Sequence, residues 1–135
     1  MLKEWLILNY GNDNIITQYL VKVGDKKYFY DFYLPSFDLL IELDGLQHFE
    51  QVGNWKSPEH ALLNDTNKIN LAIDNNKSMI RILQEDVFYN RNNWKEKLSK
   101  CIQKYEILTI VFINNGNLYE NHINNTSDNI NTIVI

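Results

Sequence analysis

YDFYLPSFDLLIELDGLQHF, the stretch from residue 30 to residue 49, contains two apolar runs separated by Pro35-Ser36. The break favours a turn at this point, and Phe37 to Asp44 has the composition of a buried strand. The residues before it, Ile15 to Val23 and Lys27 to Leu34, are rich in β-branched and aromatic types and are predicted as two more strands. The three strands together are predicted to form an antiparallel meander.

Three carboxylates lie in this stretch where strand geometry can bring them together. Because alternate side chains of a strand share a face, Glu42 and Asp44 are predicted to point the same way. Asp31 would face them if the turn folds the second strand back against the third. Buried carboxylates lose hydration and repel one another unless a cation or a basic partner compensates them. Hard oxygen ligands suit Mg²⁺ or Mn²⁺, so Asp31, Glu42 and Asp44 are predicted metal ligands; an edge or turn role for Asp31 or Glu42 alone stays open.

The rest of the chain predicts an α/β (α+β) fold. Helical spacing is found at residues 2–9, 59–73 and 92–105, and buried-strand patterns at residues 78–83 and 107–113. The resulting order is α-β-β-β-α-β-α-β, which a central mixed β-sheet flanked by helices satisfies. Residues 1–113 are predicted as a single domain, followed by a polar, Asn-rich extension over residues 114–135 that could add one more strand at Thr132 to Ile135.

Composition restricts the class of protein. A chain of 135 residues with 44% apolar and 22% charged residues is the size of one domain and too apolar to be disordered. Its longest apolar run, Ile107 to Ile113, is much shorter than the roughly 20 residues of a membrane span. One cysteine, Cys101, leaves no disulfide framework, so we expect a cytoplasmic protein, or one of a host cytoplasm. The net charge of −4 argues against binding nucleic acid by bulk charge, but it does not exclude a nuclease.

The order Asp-Phe-Tyr-Leu-Pro, a short gap and Ile-Glu-x-Asp-Gly-x-Gln-His resembles the PD-(D/E)xK nuclease superfamily. The closest resemblance is to its branch of very-short-patch repair (Vsr-like) endonucleases and related phage or restriction-type proteins, over about residues 1–105. The resemblance implies a restriction-endonuclease-like core and a metal-dependent DNA endonuclease of the repair, restriction or mobile-element type. It places the metal, Mg²⁺ or Mn²⁺, on Asp31 and Glu42, with DNA as partner and a homodimer as an open alternative.

The sequence departs from the superfamily pattern at the lysine expected two residues after Glu42, where Asp44 stands instead. The resemblance makes His48 the matching candidate to activate water or protonate the leaving oxygen, with Gln47 orienting the water or a phosphate oxygen. It also carries over a further acid on the next helix, Asp65, and a glutamate on the opening helix, Glu4. Lys68 is either a surface ion-pair partner of Asp65 or the missing lysine moved to the helix, and His48 could instead be a buried structural histidine.

Candidate contacts to nucleic acid are Arg81, Arg91, Lys95 and Trp55. Arg81 stands within an apolar strand, and a buried guanidinium needs a carboxylate or a phosphate. Arg91 and Lys95 could equally belong to a solvated helix face, and Trp55 could pack against its own loop. A catalytically inactive module that binds nucleic acid or protein, and a metal-binding regulatory domain, are the alternative functions that the sequence leaves open.

Overall fold

The computed structural model describes residues 1–54 and 56–135 of the chain. Its helices and strands follow the order α1 (Leu2–Tyr10), β1 (Ile16–Val23), β2 (Lys26–Leu34), β3 (Leu39–Asp44), α2 (Pro58–Asp74), β4 (Ser78–Leu83), α3 (Gln84–Phe88), α4 (Trp94–Cys101), β5 (Thr109–Ile113), α5 (Glu120–Asn125) and β6 (Asn131–Val134).

The six strands form one mixed sheet in the sequential order β1-β2-β3-β4-β5-β6. The pairs β1–β2 and β2–β3 are antiparallel, and the pairs from β3 to β6 are parallel. Helices flank this sheet, so the predicted fold class, α+β with a central mixed sheet, is confirmed. The predicted meander of the first three strands is confirmed as well.

Two features of the second half differ from the prediction. The helix predicted over residues 92–105 is limited to α4: it starts late because Asn92 and Asn93 have left-handed backbones, with φ of 63° and 50°, and it ends at Cys101 because Ile102 has an extended backbone. The helices α3 and α5 were not predicted, since five or six residues are too few to show helical periodicity. The extra strand that the sequence allowed at Thr132 to Ile135 is present as β6, which pairs in parallel with β5.

Apolar side chains cover both faces of the sheet. The helices α1 and α4 pack on one face, the α1/α4 face, through residues such as Leu6 and Leu98. Helix α2 and the segment around α5 pack on the other, the α2/α5 face, through residues such as Ile69 and Tyr119. Within the described part of the chain, no helix is both long and apolar enough to cross a membrane.

The sheet divides next to the predicted site. Strands β2 and β3 pair only from Leu34–Leu39 to Phe32–Ile41, whereas β2 continues along β1 and β3 continues along β4. The first residues beyond the last shared pair are Asp31 on β2 and Glu42 on β3. We call this divergence the fork, and it brings the two acids designated by the sequence to the same place in the fold.

Candidate functional site

Asp31 bridges the two sides of the fork. It is half-buried, and its Oδ2 accepts a hydrogen bond from the backbone N–H of Leu43 at 2.8 Å. The carboxylate therefore replaces the strand-to-strand bond that β2 and β3 no longer make. This contact directs Asp31 from β2 toward β3.

The backbone on both sides of Asp31 is distorted. Residues two apart on a strand normally share a face. Here Tyr30 packs on the α2/α5 face and Phe32 on the α1/α4 face, so β2 turns over at Asp31. On β1, the residue opposite Asp31 in the strand register is Gln18, which has a left-handed backbone with φ of 51°. Both strands thus change face at the level of Asp31.

Glu42 is buried on the α2/α5 face beside a lysine. Its Oε1 lies 2.7 Å from Nζ of Lys68, which also donates to the carbonyl of Phe29 at 2.5 Å. Oε1 is buried and has no partner with hydrogen-bonding geometry, so its contact with Lys68 is an ion pair. Burial raises the pKa of Glu42 to about 7, against the opposing charges of Lys68 and Arg81.

This geometry excludes one of the two roles predicted for Lys68. A surface ion pair with Asp65 is wrong, because Lys68 is buried and its ammonium lies on Glu42. The backbone carbonyl of Lys68 also accepts a hydrogen bond from the hydroxyl of Tyr30 at 2.9 Å, which ties α2 to β2. A lysine therefore lies beside the acid of the motif, although it comes from α2.

Asp44 points to the same face as Glu42, as predicted, but it belongs to a separate cluster. Arg81 donates to both of its oxygens, from Nε to Oδ2 at 2.9 Å and from Nη2 to Oδ1 at 2.7 Å. The hydroxyl of Tyr119 donates to Oδ2 at 2.7 Å. The predicted convergence of three carboxylates is wrong: among the described residues, Asp31, Glu42 and Asp44 do not form one ligand group, because Arg81 holds Asp44.

Asp65 connects this cluster to two histidines. Its Oδ1 lies 3.0 Å from Nη2 of Arg81, and its Oδ2 lies 2.7 Å from Nδ1 of His48 and 2.9 Å from Nε2 of His122. Burial alone would raise the pKa of Asp65, but the hydrogen bonds from His122 and His48 and the charge of Arg81 lower it well below its ordinary range. We call Asp44, His48, Asp65, Arg81, Tyr119 and His122 the buried cluster.

His48 lies between the two acids of the buried cluster. Its Nε2 is 3.7 Å from Oδ1 of Asp44, so the imidazole has a carboxylate near each nitrogen. Burial opposes protonation, but the hydrogen bond to Asp65 and the charges of both acids raise the pKa of His48 overall. The side chain keeps 21% of its surface exposed, so it remains open to solvent on one side.

Asp44, His48 and Asp65 offer ligand atoms that all lie within 4.8 Å of one another, and such a group could hold a metal ion. Arg81 already lies on both of its carboxylates, however. A metal ion there would have to share the two acids with a guanidinium that is 0% exposed. The charge of the two carboxylates is therefore compensated within the protein itself.

Three further predicted site residues, Gln47, Glu4 and Arg81, differ in their surroundings. Gln47 follows β3 and, with His48, lines a cavity of about 490 Å³. Glu4 is exposed and pairs with the amino terminus. The nucleic-acid contact predicted for Arg81 is wrong, because its guanidinium is enclosed and bound to Asp44 and Asp65.

The other predicted nucleic-acid contacts differ in their surroundings. Arg91 is half-exposed and pairs with Glu85 and Asp86. Lys95 is exposed and lies over the ring of Trp94 at 5.7 Å. The prediction for Trp55 concerns a residue outside the described part of the chain.

Sequence reasoning missed Tyr119 and His122, which complete the buried cluster. Both come from the segment interpreted as a polar extension. An isolated tyrosine and histidine among asparagines carry no periodic signal, and only the docking of α5 next to α2 brings them to Asp44 and Asp65.

Comparison of the chain with protein-family models, curated proteins and solved structures found no match.

Proposed function

We propose that the chain is a metal-dependent nuclease of the PD-(D/E)xK type that hydrolyses phosphodiester bonds in DNA. The observation that carries the proposal is the set of charged side chains at the fork: Asp31, Glu42 and Lys68. Asp31 and Glu42, the two acids designated by the resemblance, are the first residues on its two sides. Lys68 lies 2.7 Å from Glu42, so an aspartate, a glutamate and a lysine are grouped although the linear motif lacks its lysine.

The residues at the fork suit a hard divalent cation. Asp31 uses Oδ2 for the N–H of Leu43, and Oε1 of Glu42 lies in the ion pair with Lys68, so Oδ1 of Asp31 and Oε2 of Glu42 are the oxygens that a cation would bind. Carboxylate oxygens are the ligands that Mg²⁺ and Mn²⁺ prefer. In this proposal Asp31 and Glu42 hold the cation, which when bound neutralises phosphate charge and lowers the pKa of a water molecule. Lys68 supplies the positive charge that the superfamily lysine carries.

The buried cluster has a supporting role in this proposal. Asp44 is taken up by Arg81 and Tyr119, so it holds the end of β3 in place and is not a ligand of the proposed metal. Asp65 binds Nδ1 of His48, which leaves Nε2 as the nitrogen that can exchange a proton near neutral pH. His48 therefore remains the candidate for proton transfer to or from the substrate.

A second candidate function is a catalytically inactive module that binds nucleic acid or protein. The ion pair between Lys68 and Glu42 favours it, because a lysine that neutralises a buried glutamate explains both residues without catalysis. The two candidates differ in whether Lys68 and Glu42 are needed for cleavage or only for stability.

Cleavage of supercoiled plasmid, single-stranded DNA and RNA with Mg²⁺, Mn²⁺ or EDTA tests the proposal. We expect metal-dependent nicking by the wild type and its loss in Asp31→Asn, Glu42→Gln and Lys68→Met. Asp25→Asn, Glu106→Gln and Lys100→Met change exposed residues away from the fork and serve as matched controls. Linear product formed before nicked circles accumulate would indicate a dimer that cuts both strands. A folded wild type that cuts none of these substrates with either metal would contradict the proposal.

A further inference from the structure

A cavity of about 380 Å³ opens at the fork on the side of α1 and β1. Its volume is within the range of ligand clefts. Two core residues, Phe32 and Leu43, form its floor, and its polar lining consists of Lys3, Thr17, Gln18, Asp31 and Gln84. We call it the fork cavity.

The polar lining of the fork cavity combines one positive charge, that of Lys3, with exposed hydroxyl and amide groups. Lys3, Thr17, Gln18 and Gln84 each carry a side-chain donor, and Asp31 is the one carboxylate in the lining. Within residues 1–54 and 56–135, none of these four side chains makes a hydrogen bond or an ion pair. Because Leu2 and Leu6 fix α1 in the core, Lys3 is held at the margin of the cavity. A lysine and three side chains that can donate, none of them with an internal partner, can contact the oxygens of a phosphate.

Gln18 gives a second, independent indication. A left-handed backbone is unfavourable for a glutamine and would be relaxed by glycine or asparagine. Strained residues of this kind are found most often at active sites and ligand clamps. The strained residue here lies opposite Asp31 in the strand register, and its side chain lines the fork cavity.

We propose that the fork cavity binds the phosphodiester backbone of DNA beside Asp31, with Lys3 and Gln18 as the residues that contact the phosphate. The inference rests on the proposed function, since it supplies a substrate-binding surface for the same acid. Lys3 provides a positive charge for a phosphate oxygen and Gln18 an amide donor. Contacts of this kind hold the backbone without reading its sequence.

The test is binding of a short fluorescein-labelled DNA duplex in EDTA, measured by anisotropy in the Asp31→Asn background so that no cleavage interferes. Adding Lys3→Met should raise Kd about fivefold at low salt and reduce the slope of log Kd against log salt by about one. Adding Lys100→Met, a change of an exposed lysine on α4, should leave both quantities unchanged. A labelled RNA duplex measured in parallel should bind more weakly; equal or tighter binding would overturn DNA as the ligand.

Two substitutions of Gln18 distinguish the effect of its strained backbone on stability from the effect of its side chain on DNA binding. Gln18→Gly should raise the melting temperature, because it relieves the left-handed backbone, and should weaken DNA binding, because it removes the amide. Gln18→Asn keeps an amide and tolerates this backbone, so it should retain most of the binding. A Gln18→Gly variant that is more stable and binds DNA as well as the parent would overturn the role of Gln18.

Cleavage by the wild type is measured separately, so the two proposals can fail separately. If the wild type cuts DNA but Lys3→Met and Gln18→Gly bind like their parent, the nuclease proposal stands and the fork cavity is not the phosphate site. If the wild type cuts nothing but both variants lose binding, the fork cavity is a DNA-binding surface without catalysis. An Asp31→Asn protein that binds no DNA at low salt overturns the inference.

Discussion

Arg81 and Asp44 form a two-point ion pair in the interior of the protein, with Nε and Nη2 of the guanidinium 2.9 Å and 2.7 Å from the two carboxylate oxygens. Neither residue has significant solvent exposure. The same Nη2 lies 3.0 Å from Asp65, so one buried cation contacts two buried acids. This relationship explains why Asp44, an acid of the sequence motif, is not free at the fork.

Arg81→Met should destabilise the protein by about 3–5 kcal/mol, because it leaves Asp44 and Asp65 buried without their cation. Urea unfolding measures the change. Lys100→Met is the control, since Lys100 and its partner Glu96 are both exposed and their ion pair should contribute less than about 1 kcal/mol. Equal effects of the two substitutions would show that the buried cluster does not stabilise the fold as described.

Tyr119→Phe should cost about 1.5–3 kcal/mol of stability, because it removes the hydroxyl that donates to Asp44 at 2.7 Å. Burial raises the pKa of Tyr119 well above its ordinary value, so the hydroxyl stays a donor at every working pH. Tyr28→Phe is the matched control on the α2/α5 side, because no hydrogen bond of the Tyr28 hydroxyl is found among the described residues. Equal unfolding midpoints for the two variants would argue that residues 114–135 do not stabilise the fold through Tyr119.

Stability should fall in acid because of Asp65. The pKa of this carboxyl is depressed in the folded protein from its ordinary value of 3.8, so below about pH 4 the unfolded chain takes up a proton that the folded protein does not. The stabilisation by Asp65 is thus present above that pH and lost as the pH falls. Asp65→Asn should be strongly destabilising near pH 7 and progressively less so below pH 4. Urea unfolding over this range checks it, and profiles that run parallel down to pH 3 would contradict it.

Mn²⁺ should raise the melting temperature of the wild type if the fork holds a metal. At about 100 times the dissociation constant, binding to the folded state alone contributes about 2.7 kcal/mol. The shift should disappear in Glu42→Gln and persist in His48→Gln. The reverse pattern would place the metal on Asp44, His48 and Asp65, the other group whose geometry could accept an ion.

Much of the fold could be predicted from the sequence because the signals are local. Strand β4 occupies the predicted residues, and α2 is within one residue of its predicted bounds at each end. The shared face of Glu42 and Asp44 follows from strand alternation alone. The limits of α4 could not be predicted, because left-handed backbones at Asn92 and Asn93 delay its start and an extended backbone at Ile102 ends it within the helical pattern of the sequence.

The candidate site was predictable only in part. Asp31 and Glu42 could be selected because the motif places them on adjacent strands, and the structure brings both to the fork. The separation of Asp44 from them could not be foreseen, because it depends on a guanidinium from β4 and a hydroxyl from the C-terminal segment. Lys68 had two predicted roles, and only the packing of α2 against β2 and β3 excluded the surface ion pair with Asp65.

The sequence by itself determined the meander of the first three strands, the shared face of Glu42 and Asp44 and the absence of a motif lysine, since each depends on residues a few positions apart. The tertiary structure alone decided which charges meet. Tyr119 and Asp44 are 75 positions apart, and Arg81 and Asp44 are 37 apart. Contacts over such separations leave no periodic trace in the chain, because they arise only when helices pack on a completed sheet and buried charges must find partners.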